Sequence, residues 1–344
     1  MIDRSLWRPE GVYVNTASYG LPPRPAWNAL QSVLGDWRCG RTSWEAWGDA
    51  TDEARREWAA LMGVAPERVA TGATVSGLVG LVAPVLERGA RVVAPEVEFT
   101  SNLWPFMVRE LDVQLVPPDR VAEAIDGRTA AVAFSAVQSA TGDVADVEAI
   151  LAAARHHGAL TFLDAIQASG WLPLDASRFD VVACSAYKWL MSPRGTAFMA
   201  IAPELLDRVL PSAAGWFAGE DVHGSYYGGP VRLASGARRL DTSPAWFPWV
   251  GTVPALRVVR EIGVEAIHEH DVGLANRFRA GLGLEPSTSA IVVTDAAGAE
   301  ERLAAANVMA AMRAGRLRTS WHVYNDESDV DRVLELMNAP VRSR

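Results

Sequence analysis

A single lysine, Lys188, stands against arginine at every other position in a Lys+Arg total of 32. Arginine carries charge as well as lysine does, but its guanidinium stays protonated and does not condense with an aldehyde, as an ε-amine can. Codon bias accounts for the rarity of lysine. It does not account for the place of the one that remains, in Cys184-Ser185-Ala186-Tyr187-Lys188-Trp189, directly after an apolar run. Two other stretches carry chemistry in comparable positions. In Thr161-Phe162-Leu163-Asp164-Ala165-Ile166-Gln167 a carboxylate ends an apolar run, where it either caps a helix or meets a cation such as a protonated ring nitrogen. In Thr71-Gly72-Ala73-Thr74-Val75-Ser76 a strand passes through glycine into a helical pattern. Thr74 there is either a simple N-cap or part of an anion cradle built on free backbone N–H groups.

These stretches need a sheet to bring them together, and the sequence supplies one. Strand patterns fall at 68–70, 90–94, 113–116, 129–134, 159–163, 180–185 and 196–201, with helical patterns between several of them, at 75–87 and 144–157. That alternation, with continuous apolar strands, predicts an α/β fold with a mostly parallel sheet covered on both faces and its ligand at the carboxyl ends of the strands. A Gly/Pro/Ser-rich stretch, 224–254, leads to a smaller α+β region. Its expected helices are 253–261 running on to 282, 300–314 and 329–337, and its expected strands are 290–294 and 317–320. Asp164 and Lys188 then end adjacent strands on one rim, beside the helix start at Thr74. An acid, an amine and an anion-binding helix start suit a cofactor with a ring nitrogen, an aldehyde and a phosphate, which is pyridoxal 5'-phosphate.

Composition narrows the partners. Net charge of -9 and pI near 5.3 argue against a nucleic-acid surface. No apolar stretch approaches the roughly 20 residues of a membrane span, and the first 14 residues lack a secretory layout, so a soluble cytoplasmic protein is expected. Cys39 and Cys184 sit in no metal-type or redox-type pair and are expected to be reduced. Several of the 13 tryptophans, among them Trp44, Trp47, Trp246 and Trp249, lie in Gly/Pro-bearing segments, where lining an interface or pocket is the expectation.

The pattern Asp164-x-x-Gln167 followed by Ser185-x-Tyr187-Lys188-Trp189-Leu190 resembles the class V aminotransferase group of fold-type I pyridoxal-phosphate enzymes, which includes cysteine desulfurases and kynureninases. The likeness runs from Val14-Asn15-Thr16-Ala17-Ser18-Tyr19-Gly20 to Leu317-Arg318-Thr319-Ser320-Trp321-His322-Val323-Tyr324-Asn325. It implies a large cofactor-binding domain, 16–244, and a small domain, 245–344 with 1–15. Under this resemblance Lys188 bonds the aldehyde carbon, Asp164 holds the ring nitrogen protonated, and Gln167 contacts the ring hydroxyl. Ala73, Thr74, Ser185 and Tyr187 hold the phosphate, Phe99 stacks on the ring where many desulfurases carry histidine, and Gln138 lies near it. Ser243 reaches the phosphate of a neighbouring subunit, implying a homodimer with a shared site. Arg318 clamps the α-carboxylate of an amino-acid substrate, and Arg194 is a further candidate to face the site.

Desulfurases carry a nucleophilic cysteine shortly before that arginine, and 300–317 contains none. The segments Tyr187-Lys188-Trp189-Leu190-x-x-Pro193-Arg194-Gly195 and Arg318-x-Ser320-x-His322-Val323 are similar to the carbon-sulfur lyase of ergothioneine biosynthesis. The function expected from that likeness is β-elimination from a cysteine S-conjugate or its sulfoxide, giving a thiol-derived product, pyruvate and ammonia. An aminotransferase or epimerase would share every cofactor residue, and a non-catalytic cofactor-binding protein is the remaining alternative.

Overall fold

The computed structural model describes residues 2–295, 298–313 and 315–338. A short strand, β1 (Val12–Tyr13), precedes two helices, α1 (Arg24–Arg38) and α2 (Trp44–Leu61). The alternating region then runs β2 (Val69–Gly72), α3 (Val75–Val82), β3 (Arg91–Pro95), α4 (Thr100–Met107), β4 (Asp112–Val116), α5 (Val121–Ala124), β5 (Thr129–Ser135), α6 (Val147–His157), β6 (Leu160–Asp164), β7 (Val181–Ser185), β8 (Ala197–Ile201) and α7 (Pro203–Leu206). The chain continues through α8 (Trp246–Ile262), α9 (Val264–Gly281), β9 (Ile291–Thr294), α10 (Ala299–Ala305), β10 (Val308–Met309), β11 (Ala311–Arg313), β12 (Arg316–Ser320) and α11 (Glu327–Asn338).

Seven strands form one sheet in the order β2-β8-β7-β6-β5-β3-β4, in which only β8 runs against the rest. The apolar strands are buried on both faces because alternate side chains feed two cores. Leu163, Val182 and Cys184 join one cluster, while Phe162, Val181 and Ala183 join the other. Register decides what shares the rim. Ser135 lies opposite Asp164, and Asp164 opposite Ala183. Gly72 and Ser185 flank Ala197 from its two sides, so the start of α3 and the loop carrying Lys188 leave the sheet at one edge. A second, three-stranded antiparallel sheet, β11-β12-β9, packs with α9, α10 and α11 around Phe278, Leu303, Leu317, Trp321 and Val333.

Several expectations need correction. The helix from Val75 ends at Val82 and tightens into a 3₁₀ turn, Ala83–Val85, where Pro84 cannot continue the ladder. The next helix begins at Val147, under an Asp146 cap, because Val144 pairs with Val137 instead. The expected helix 300–314 stops at Ala305; its final residue, Ala314, lies outside the described residues. Asn307 takes a left-handed conformation (φ 56), after which β10 pairs with β1 and β11 with β12. Pairing partners distant in sequence override an alanine-rich helical pattern there. Helix α8 starts at Trp246, ahead of the expected Val253. The α1 and α2 helices, which precede the strand alternation, pack against it. Trp249 is a core residue instead, set edge-on to Phe198. Trp44, Trp47 and Trp246 stay partly exposed and cluster together.

Candidate active site

Asp164 ends β6 with its side chain buried, and Oδ1 accepts a 2.8 Å hydrogen bond from the Ile166 backbone N–H. Burial raises its pKa, and the carboxylate of Glu98 raises it further. Lys188, three residues past β7, is also buried; burial lowers its pKa, opposed by Asp164 and reinforced by Arg318. An amine whose proton is easily lost is what condensation with an aldehyde requires. Among the described residues, Arg55 pairs with Asp241 and His322 meets Asp271 with both side chains of each contact buried, and Asp164 has no cation in salt-bridge contact. A ring N–H would supply that partner.

The lysine loop is held from several sides. The Gly20 N–H donates to the Tyr187 carbonyl at 2.9 Å, and a Cβ on Gly20 would sit 1.9 Å from the Lys188 carbonyl oxygen, so only glycine allows this approach. Trp189 donates its indole N–H to Gln167 Oε1 at 2.9 Å. His322 bridges the Trp189 carbonyl (3.0 Å from Nε2) and Asp271 (2.7 Å from Nδ1), tying the segment after β12 to the residue after Lys188.

Phe99 caps α4 half-exposed, with the Lys188 Nζ 5.7 Å from its ring centroid, which places an aromatic face over the amine. Beside it Glu98 is buried without a cation. Its carboxylate accepts hydrogen bonds from the Phe99 N–H (3.0 Å), the Ser135 N–H (2.8 Å) and hydroxyl, and Gln138 Nε2 (3.1 Å). Burial raises the Glu98 pKa. Gln138 is thereby fixed by one end, and its Oε1 is buried with no partner. Gln167 is committed at both ends: Nε2 donates to the Ala17 carbonyl (3.0 Å) and Ser139 Oγ (3.1 Å). A ring hydroxyl would therefore compete with Ser139 for this amide.

At the edge of the sheet Thr74 does cap α3, its hydroxyl accepting from the Gly77 N–H at 3.1 Å. The cap leaves the N–H groups of Val75 and Ser76 without partners among the described residues, and Ala73, Thr74 and Ser76 are exposed. The two readings of Thr74 are thus compatible: a capped helix start still offers donors to an anion. Ser185 is buried at the end of β7, and Tyr187 is half-buried with the Arg194 guanidinium 5.0 Å from its ring. Arg194 itself is exposed, and its backbone N–H donates to the Tyr19 hydroxyl at 3.2 Å. Ser243 is exposed, two residues past Asp241, which binds Arg55 at 2.7 Å and the Thr71 N–H at 2.7 Å. That network anchors the Ser243 segment beside β2.

Arg318, on β12, is buried opposite Ala311. Nη1 donates to the carbonyl of Ser139 (2.5 Å) and Nη2 to Ser18 Oγ (2.8 Å), while Nε is buried with no partner. Burial and the neighbouring charge of Arg313 lower its pKa to about 10. A buried cation with only neutral partners favours an anionic ligand.

Asp164, Lys188, Phe99, Gln138, Gln167, Ser185, Tyr187 and Arg318 thus share one end of the sheet. Glu98, Ser18, Ser139 and Arg313 stand among them without having drawn attention in the sequence. Glu98 had one readable signal, a carboxylate next to the aromatic candidate. The orphaned Gln138 Oε1 and Arg318 Nε, the unpaired buried Asp164 and the uncommitted donors of α3 all fit pyridoxal 5'-phosphate with an amino acid above it.

This architecture and rim define the fold-type I arrangement, and sequence comparison gives the family. The Aminotransferase class-V profile matches residues 41–308, and the chain belongs to that family. It is similar to an uncharacterized aminotransferase of Bacillus subtilis (26% identity, covering 90% of this chain and 89% of the relative). It is also similar to isopenicillin N epimerase of Amycolatopsis lactamdurans (28% identity, 83% of each). Among solved structures, the cystine C-S lyase C-DES in complex with cysteine persulfide superposes with TM-score 0.84 at 20% identity, over 96% of this chain and 98% of that one. C-DES with glycine covalently linked to its PLP cofactor gives TM-score 0.88 at 19% identity, over 98% and 100%. At these identities the superpositions show the fold. No helix among the described residues is long and apolar enough to cross a membrane.

Proposed function

We propose that this chain is a pyridoxal-phosphate carbon-sulfur lyase that eliminates the sulfur substituent of a cysteine S-conjugate or its sulfoxide, releasing pyruvate and ammonia. The setting is the making of a sulfur-containing natural product, of the ergothioneine type. When bound, the cofactor supplies an aldehyde that captures the substrate amine and a ring that delocalises charge developing at Cα. Lys188 would hold the aldehyde carbon, and its amine would serve as the base for the Cα proton. Asp164 accepts the ring N–H and keeps that nitrogen protonated. Arg318 would pair with the α-carboxylate and so orient the substrate at Cα. Phe99 covers one ring face and excludes water, while the start of α3, Ser185 and Tyr187 hold the phosphate. Ser243 completes that cradle for a second subunit of a homodimer.

The observation that carries elimination over desulfuration is the lack of a serviceable thiol. Cys184 lies buried in β7 with its pKa pushed up to about 12 by burial, so little thiolate forms there. Cys39 follows α1, outside the arrangement above, and no cysteine precedes Arg318 in 300–317. Similarity to isopenicillin N epimerase favours a second reading, an epimerase or aminotransferase using the same residues. A panel of cysteine S-conjugates and sulfoxides assayed for pyruvate separates the two. Pyruvate release supports the lyase; racemised amino acid, or amine transfer to a keto acid with no pyruvate, overturns it.

A further inference from the structure

Arg313 has no role in the account so far, yet its guanidinium meets the substrate clamp. Nη2 of Arg313 donates to Ser18 Oγ at 3.1 Å, the same hydroxyl that accepts from Arg318 Nη2 at 2.8 Å. The hairpin produces this convergence. Ala311 pairs with Arg318 and Arg313 with Arg316, so at the period-two spacing of a strand the three arginines leave one face of the hairpin. Their fates then diverge. Arg316 turns to Asp295 and forms an ion pair at 3.1 Å. Arg313 has only neutral partners among the described residues, Ser18 Oγ and the Met312 carbonyl at 2.8 Å. Two like charges are thus gathered on one hydroxyl with no carboxylate between them, an arrangement that repels until an anion enters.

The two arginines also differ in depth. Arg318 is buried, whereas Arg313 is exposed. A guanidinium carries five N–H donors in a fixed fork; Arg313 spends one on the main chain and one on Ser18, leaving the others free. Its charge reaches inward, since it lowers the proton affinity of both Lys188 and Arg318. With an α-carboxylate at Arg318, the remaining donors of the exposed Arg313 stay open to a second anionic group close by.

We propose that Arg313 is a specificity-determining residue that binds a second anionic group, a carboxylate at the far end of the substituent on sulfur, so that the preferred substrate is a dicarboxylic cysteine S-conjugate. This rests on the lyase reading above, and the test separates the two. The holoenzyme and its Arg313→Ala variant are compared on S-carboxymethyl-L-cysteine and on the isosteric amide, S-carbamoylmethyl-L-cysteine. Binding is read independently of turnover by titrating the cofactor absorbance with L-2-aminoadipate, in which a methylene replaces sulfur, and with the corresponding amide.

A charge-assisted contact of this kind predicts about a tenfold or greater preference of the wild type for the acid over the amide, in both kcat/KM and binding. Arg313→Ala is expected to lose that preference, weakening the acid about tenfold and the amide by less than about twofold. Equal weakening of acid and amide would mean that Arg313 serves the α-carboxylate or the fold, and would overturn the proposal. So would a wild type that does not distinguish them. If no conjugate yields pyruvate but the binding preference exists and vanishes in Arg313→Ala, the lyase reading fails and the second anion site stands.

Discussion

Replacing Arg318 by methionine separates binding from folding. Arg318 is 1% exposed and its guanidinium faces no carboxylate, and burial together with the neighbouring charge of Arg313 lowers its pKa to about 10. At about 1.4 kcal/mol per pH unit, holding the charge in the folded protein costs about 3 kcal/mol. The sign follows from the depression: the cost is present at every pH below the folded pKa and is relieved as pH rises through about 10. Opposing it are hydrogen bonds to the Ser139 carbonyl, Ser139 Oγ and Ser18 Oγ, each contributing about 1 kcal/mol or somewhat more for a charged donor. Methionine removes both contributions and fills much of the volume. Stability should therefore change by less than about 2 kcal/mol, a shift of a few degrees in Tm. The substrate carboxylate, in contrast, loses a partner worth about 3 kcal/mol, or roughly a hundredfold in KM. Thermal unfolding of the holoprotein and steady-state kinetics on a turned-over amino acid read the two effects separately. A collapse of Tm by more than about 10 °C with KM unchanged would show that Arg318 serves the fold, and the reasoning from its missing counter-charge would fail.

Three further substitutions follow. Asp164→Asn keeps the shape of the rim but cannot hold a ring nitrogen protonated, so cofactor should remain bound while kcat falls by about a hundredfold or more; wild-type kcat would remove Asp164 from the electrostatics of the reaction. Cys39→Ser and Cys184→Ala should each leave pyruvate release within about twofold of wild type, with Cys184→Ala costing about 1 kcal/mol of stability for the lost packing. A large loss of kcat from Cys39→Ser would restore a thiol relay.

The rim of the sheet was legible because its chemistry sits at the ends of strands whose apolar runs are continuous. Asp164 and Lys188 are each the charged exception in an otherwise buried stretch, and a parallel sheet carries such exceptions to one edge. Residues that reach the site through loops left no such mark. Ser18 and Ser139 are ordinary loop serines until Arg318 donates to both, and Glu98 reads as a surface acid until Ser135 and Gln138 are seen to enclose it. The segment after Ala305 misled for a different reason. Its alanine content favours helix locally, while β1 and β12 offer pairing that only the folded chain brings near. That segment holds Arg313, so the misread hairpin concealed the second cation of the substrate site.

The covalent role of Lys188 is tested most directly by reducing the purified holoprotein with borohydride and mapping the modified peptide by mass spectrometry. Because the chain has no other lysine, a reduced pyridoxyl group is predicted on the peptide containing Lys188 alone, together with loss of the visible absorbance. A modification confined to the N-terminal amine, or a visible band that survives in Lys188→Ala, would contradict the account.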